Sequence, residues 1–115
     1  MSEPFLDYLE DILDAMEKSQ ILITDVVFAD FIEDFRIHFA VTRALEIIGE
    51  ATKRLPAHLR DEYPEVPWRE MAGMRDRIIH GYDAIDLGIV WNTVSRRIPV
   101  VKIQIEQILA DHTSA

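Results

Sequence analysis

Two residues whose types could do chemistry stand five positions apart, Arg75 and His80, in the run Met74-Arg75-Asp76-Arg77-Ile78-Ile79-His80-Gly81-Tyr82-Asp83. Arginine presents a fixed fork of donors that matches a phosphate, and it stays charged at any physiological pH. Histidine can give and take a proton near neutrality. The chain has no His-Glu-x-x-His or Glu-x-x-His signature of a bound metal and no glycine-rich phosphate loop, so no cofactor is implied. Arginine with histidine and no metal ligands nearby suits cleavage of RNA by its own 2′-hydroxyl. Histidine would act as general acid or base on the ribose oxygens, and arginine would stabilise the charge developing on the phosphate. The same residue types near a helix end also fit plain surface groups, or a salt bridge to Asp76 or Asp83.

Geometry decides whether the two can meet. On a continuous helix they would lie roughly 140° apart around the axis, on different faces. If the helix ends near Ile79 and Gly81 turns the chain in the left-handed conformation, His80 is freed from that constraint and can swing toward Arg75. Beyond Gly81, His80 and Tyr82 can point the same way, as alternate residues do in extended chain. The partial negative charge of a helix C-terminus would favour protonated imidazole.

The elements that must position this segment read as helices. Phe5, Leu6, Leu9, Ile12, Leu13 and Met16 recur at helical spacing, with Asp7, Glu10, Asp11, Asp14 and Glu17 on the other face and Pro4 at the start. Ile21 to Ala29 read as a connection entering a second helix, with Asp30 and Glu33 resembling a capping box. That helix runs to about Leu55, with a kink near Asp34, and stops at Pro56. It is apolar over a wide arc, through Ile32, Phe35, Phe39 and Leu45 and again through Ile37, Val41, Ala44, Ile48, Ala51 and Leu55. An arc that wide implies a central helix, or one facing both a core and a partner subunit. Pro56, Pro64 and Pro67 make residues 56–67 a connection, with one helical turn expected around His58 to Glu62. A third helix spans Trp68 to about Ile79. The last follows a cap at Asp86 and carries a narrow seam of Leu87, Trp91, Val94, Ile98, Val101, Ile105 and Ile108, with Pro99 expected to kink it. Short links between such helices predict an all-α bundle of four to five helices in one domain, 1–115.

The 115 residues include no cysteine, which excludes disulfides and thiolate chemistry and fits a cytoplasmic protein. Ser2-Glu3-Pro4 lacks the basic start of a signal peptide, and no apolar run approaches the roughly 20 residues that span a bilayer. The net charge of −9 is carried by residues 1–34, which hold ten of the 21 acids and one of the 12 bases. The remainder is balanced. An acidic face of this kind serves solubility, repels RNA or attracts a basic partner. An RNA site must therefore be local, built from Arg36, Arg43, Arg69, Arg75, Arg77 or Arg96.

Four stretches in order carry a family resemblance: Arg43-Ala44-Leu45-Glu46-Ile47-Ile48-Gly49-Glu50-Ala51, Trp68 to Met74, Arg75 to Tyr82, and Ile85-Asp86-Leu87 through Trp91. The third resembles the Arg–(four residues)–His motif of HEPN domains, extended by a tyrosine as in the HepT toxins, partners of MntA-type minimal nucleotidyltransferases. The resemblance implies a HEPN-type helical homodimer whose two motifs line one cleft. It implies a metal-independent endoribonuclease acting on RNA, with Arg75 and His80 catalytic and Asp76 supporting. It also implies silencing by an MntA-type antitoxin that adenylylates Tyr82, with a hetero-oligomer possible. A non-catalytic helical module that presents nucleotide or substrate to a nucleotidyltransferase is the alternative, and a structural dimer with a decayed site another.

Other polar residues have blander readings. Arg43, Glu46 and Glu50, within two turns of one helix, could support the cleft or form an ion pair. His38 can pair locally with Asp34. Nothing is assigned to His58 or His112. Trp68 and Trp91 read as core or interface anchors more than as platforms for bases.

Overall fold

The computed structural model describes residues 3–79 and 84–113. Helix α1, Phe5–Leu22, buries Phe5, Leu6, Leu9, Ile12 and Met16 and leaves its acids outside, as the spacing predicts. It runs farther than expected, through Ile21 and Leu22. Ile21 is 70% exposed and lies off the apolar stripe, so periodicity could not place it. The chain then turns through Asp25, whose φ of 61° lies in the left-handed region that aspartate tolerates better than most residues.

The expected kink near Asp34 is a complete break. Helix α2, Phe28–Glu33, starts after Val27, so Asp30 lies inside its first turn and forms no capping box. Asp34 is extended and caps α3, Phe35–Lys53, its carboxylate accepting from the Arg36 backbone N–H at 3.0 Å. Arg36 also donates from its guanidinium to that carboxylate, which lies below the usual carboxylate range chiefly for this reason. The Asp34 expected to serve His38 is thus engaged by Arg36. The His38 ring instead packs edge-on against Phe31 and Phe39.

Helix α3 lies along α1 and contributes Val41, Ala44, Leu45, Ile48 and Ala51 to the core. A short α4, Ala57–Glu62, seats Leu59, and the 56–67 connection is tied to the chain's end. The Tyr63 hydroxyl donates to Asp111 at 2.9 Å, and the Trp68 indole N–H donates to the Tyr63 carbonyl at 2.9 Å. The predicted third helix is two: α5, Trp68–Ala72, and α6, Met74–Ile78, meeting at Gly73.

Asp86 caps α7, Leu87–Asn92, by accepting from the Ile89 N–H at 3.0 Å. The helix continues through a π-helical turn, Thr93–Arg97, into α8, Ile98–Thr113. Pro99 thus acts through a widened turn just ahead of it, where the helix accommodates a ring that cannot accept the ordinary i−4 geometry. Within this stretch Thr93 and Ser95 donate their hydroxyls to the carbonyls four residues back. The seam of the last helix is covered by the chain itself: Val94, Ile98, Val101, Ile105 and Ile108 are all buried. The apolar arc at the other end is left bare. Val27, Phe28, Ile32, Phe35 and Phe39 on and beside α2 and α3 are exposed, the two α3 phenylalanines by 61% each.

Candidate active site

Gly49 determines how closely the segment bearing Arg75 approaches α3. A Cβ on Gly49 would stand 3.1 Å from the Met71 carbonyl oxygen and 3.7 Å from the Met74 Cβ. The Met71 carbonyl stands closer than a side chain's first carbon ordinarily meets backbone, so the α5–α6 corner rests directly on α3. Trp68, Met71 and Met74 anchor that corner in the core. Arg75, the next residue, is brought against α3 one turn before Gly49. Its Nε lies 3.9 Å from Glu46 Oε2, with the arginine side chain 63% exposed and the glutamate 25%. The carboxylate stands beside the guanidinium without a hydrogen bond, so the arginine's donors stay open to a ligand. As an exposed pair the two add little stability.

Of the three α3 residues read together, only Glu46 joins Arg75. Arg43 and Glu50 share another side with Tyr8, Asp11, Ile47 and Arg54. Asp76 and Arg77 are exposed on α6 beside Arg75. Trp68 and Trp91 are structural: Trp68 is buried and hydrogen-bonded, and Trp91 packs against Phe28 and Phe31 with ring centroids 5.8 and 5.0 Å away.

Helix α6 ends at Ile78, and Ile79 is already extended. Ile79 forms an antiparallel bridge with Ile85, and the Asp86 N–H donates to the Ile78 carbonyl at 2.7 Å. The helical constraint that would set residue 80 on the wrong face therefore ends two residues earlier. His80, Gly81 and Tyr82 lie outside the described residues, so their predicted roles, and the turn at Gly81, rest on sequence. Among the described residues no three His, Asp or Glu side chains converge as a metal-binding group, and no helix is long and apolar enough to cross a membrane.

The signal missed in the sequence was Gly49. It stands inside a helix, where glycine is unfavourable, between core residues Ile48 and Ala51. A glycine in such a place marks a close backbone approach. What meets it could only be learned from the fold.

A family model described as ribonuclease HepT-like matches residues 12–108. The chain is 45% identical over 108 residues to a probable ribonuclease HepT of Thermococcus cleftensis, covering 94% of this chain and 98% of that protein. It is 41% identical over 104 residues to a putative RNase of Methanocaldococcus jannaschii, covering 90% of each. It is also 42% identical over 102 residues to a putative RNase of Caldanaerobacter subterraneus subsp. tengcongensis, covering 89% of this chain and 91% of the relative. No solved structure matches.

Proposed function

The chain belongs to the ribonuclease HepT-like family, and from that membership we propose that it is a metal-independent endoribonuclease whose toxicity is held in check by a nucleotidyltransferase partner. The observation that carries the reading is Arg75: exposed, 3.9 Å from Glu46, and on a short helix that ends two residues before His80.

The reaction follows from these residue types. The 2′-oxygen of a ribose attacks the adjacent phosphorus, and the bond to the 5′-oxygen of the next nucleotide breaks. A histidine takes the 2′-hydroxyl proton, and a protonated histidine supplies one to the departing 5′-oxygen. Products are a 2′,3′-cyclic phosphate and a 5′-hydroxyl. Arg75 faces the added negative charge on the phosphate oxygens. Asp76 supports Arg75 from the same helix. Two histidines are supplied if two copies share one cleft, and the bare face of Phe35 and Phe39 supports a homodimer. It lies on α3, whose next two turns carry Glu46, so a second copy seated there stands beside Arg75.

Tyr82 is the regulatory residue in this reading. Adenylyl groups on its hydroxyl add negative charge where an RNA phosphate must lie, pairing with Arg75 and repelling substrate. The protein works in the cytoplasm, where RNA, ATP and an MntA-type antitoxin are together. Incubation with RNA and excess chelator should yield fragments ending in 2′,3′-cyclic phosphate. Intact mass after incubation with partner and ATP should rise by adenylate increments for the parent and not for Tyr82→Phe. Equal labelling of the Phe variant moves the acceptor elsewhere.

A further inference from the structure

The bare apolar surface at the α2–α3 end divides by charge. Around Phe35 and Phe39 the outer turns of α3 carry both signs, Arg36 and Arg43 with Glu46. The α2 side carries one. Residues 19–34 hold four acids and no lysine, arginine or histidine. Phe28 and Ile32, one helical turn apart, share a face of α2, and both are exposed, as is Val27 before them. A groove of about 750 Å³ opens beside this helix, between the turn at Asp25 and the break at Asp34. Asp25, Asp30 and Glu33 line it, exposed and in no ion pair among the described residues. Arg36, the one base on its lining, is already held by Asp34.

We propose that the α2 side docks a basic, amphipathic segment of another protein, its apolar side chains on Phe28 and Ile32 and an arginine or lysine in the acidic groove. The inference is independent of the ribonuclease reading of Arg75. Charge selects the occupant. A second copy related by a two-fold axis would set Asp25, Asp30 and Glu33 against the same three residues, and like charges face to face oppose such pairing. The phosphates of RNA are repelled for the same reason. A guanidinium or ammonium group is the complement, and carboxylates accept well from either. Apolar contact then supplies affinity, while the charges steer the encounter and reject the wrong partner.

The surface is formed in advance of a partner. Phe31 is fully buried, its ring 5.0 Å from that of Trp91, so α2 is pinned by its inner side while its outer side chains stay free. Asp34 ends α2 and caps α3 in one step, which fixes the far wall of the groove. Little ordering of this side is needed on binding.

The test titrates the full-length protein into short labelled peptides and follows fluorescence anisotropy. The first peptide carries leucine and lysine at helical spacing, so that one face is apolar and the other basic. The second has glutamate for each lysine, and the third has serine for each leucine. The first should bind the parent, and the other two should bind more weakly by about tenfold or more. Asp30→Lys with Glu33→Lys should weaken binding of the first peptide by about tenfold or more, and Ile32→Ser by severalfold. Asp7→Lys with Glu10→Lys makes the same change in net charge on the exposed face of α1, and should alter binding by less than about twofold. Circular dichroism checks that each variant remains folded. Equal weakening by the two charge reversals would reduce the interaction to net charge and overturn the site. So would no binding of the first peptide, binding unmoved by Ile32→Ser, or equal binding of the serine peptide. If Asp30→Lys with Glu33→Lys lowers the mass in light scattering from two chains to one, the surface belongs to a second copy. If Ile32→Ser weakens binding of single-stranded RNA, it belongs to RNA. Either result overturns the proposal.

Discussion

The two halves of α3 use their apolar residues in opposite ways. The first turns show Phe35 and Phe39 to solvent, each 61% exposed. The later turns bury Leu45 and Ile48 completely and admit the α5–α6 backbone against Gly49. The second half holds the chain together and sets where Arg75 stands. The first contributes little to the isolated fold, and large exposed apolar side chains in a contiguous group mark an interaction surface. Stability and a candidate interaction surface thus lie on one helix, some three turns apart, and substitutions can address them separately.

The largest effect on folding is expected in the second half. Leu45→Ala removes a fully buried side chain and should cost about 2–5 kcal/mol in chemical denaturation. A cost below that range would mean the core is looser at this point than its burial implies. Gly49→Ala is smaller in stability and larger in function. The new methyl must push the Met71 carbonyl and its corner by a few tenths of an ångström. We expect Arg75 to lose its register with Glu46 and cleavage to fall well beyond the change in folding; full activity in this variant would show that the close approach does not matter.

In the first half the signs reverse. Phe35→Glu with Phe39→Glu should leave denaturation almost unmoved, within about 0.5 kcal/mol for each surface change. Light scattering should meanwhile move from twice the chain mass to the single-chain value. A double variant that remains dimeric would place the contact elsewhere. The smallest effect is electrostatic and remote from α3. Burial, together with the bond to Asp111, pushes the Tyr63 hydroxyl up to about 12. The unfolded tyrosine ionises near 10, so this group's contribution is whole below that pH and declines as pH rises toward 12. Thermal unfolding of Tyr63→Phe should lose less stability over that window than the parent does.

These contrasts also explain what the sequence could reveal. The stripe of α1, the cap at Asp86 and the seam from Val94 to Ile108 are local patterns, and each is found where periodicity or capping places it. Which surface covers a seam is not local. A narrow seam such as Leu87 to Ile108 could face a partner or a core; the chain's own core takes its buried positions, and the α2–α3 end is the one left bare. Asp34 was ambiguous because a short polar residue between apolar turns can bend a helix or cap a new one. Arg36, two residues on, favours the cap and removes the carboxylate from His38. At the candidate site, Arg75 is proposed from residue type and motif. Its place beside Glu46 depends on the approach at Gly49, a contact between residues more than twenty positions apart.

The most direct measurement of the central claim is the rate of RNA cleavage by the parent and by His80→Ala in the presence of chelator. The account predicts that the parent cleaves under these conditions. It also predicts that the variant, equally folded and equally dimeric, is slower by about 100- to 10,000-fold. Equal rates for the two proteins would contradict it.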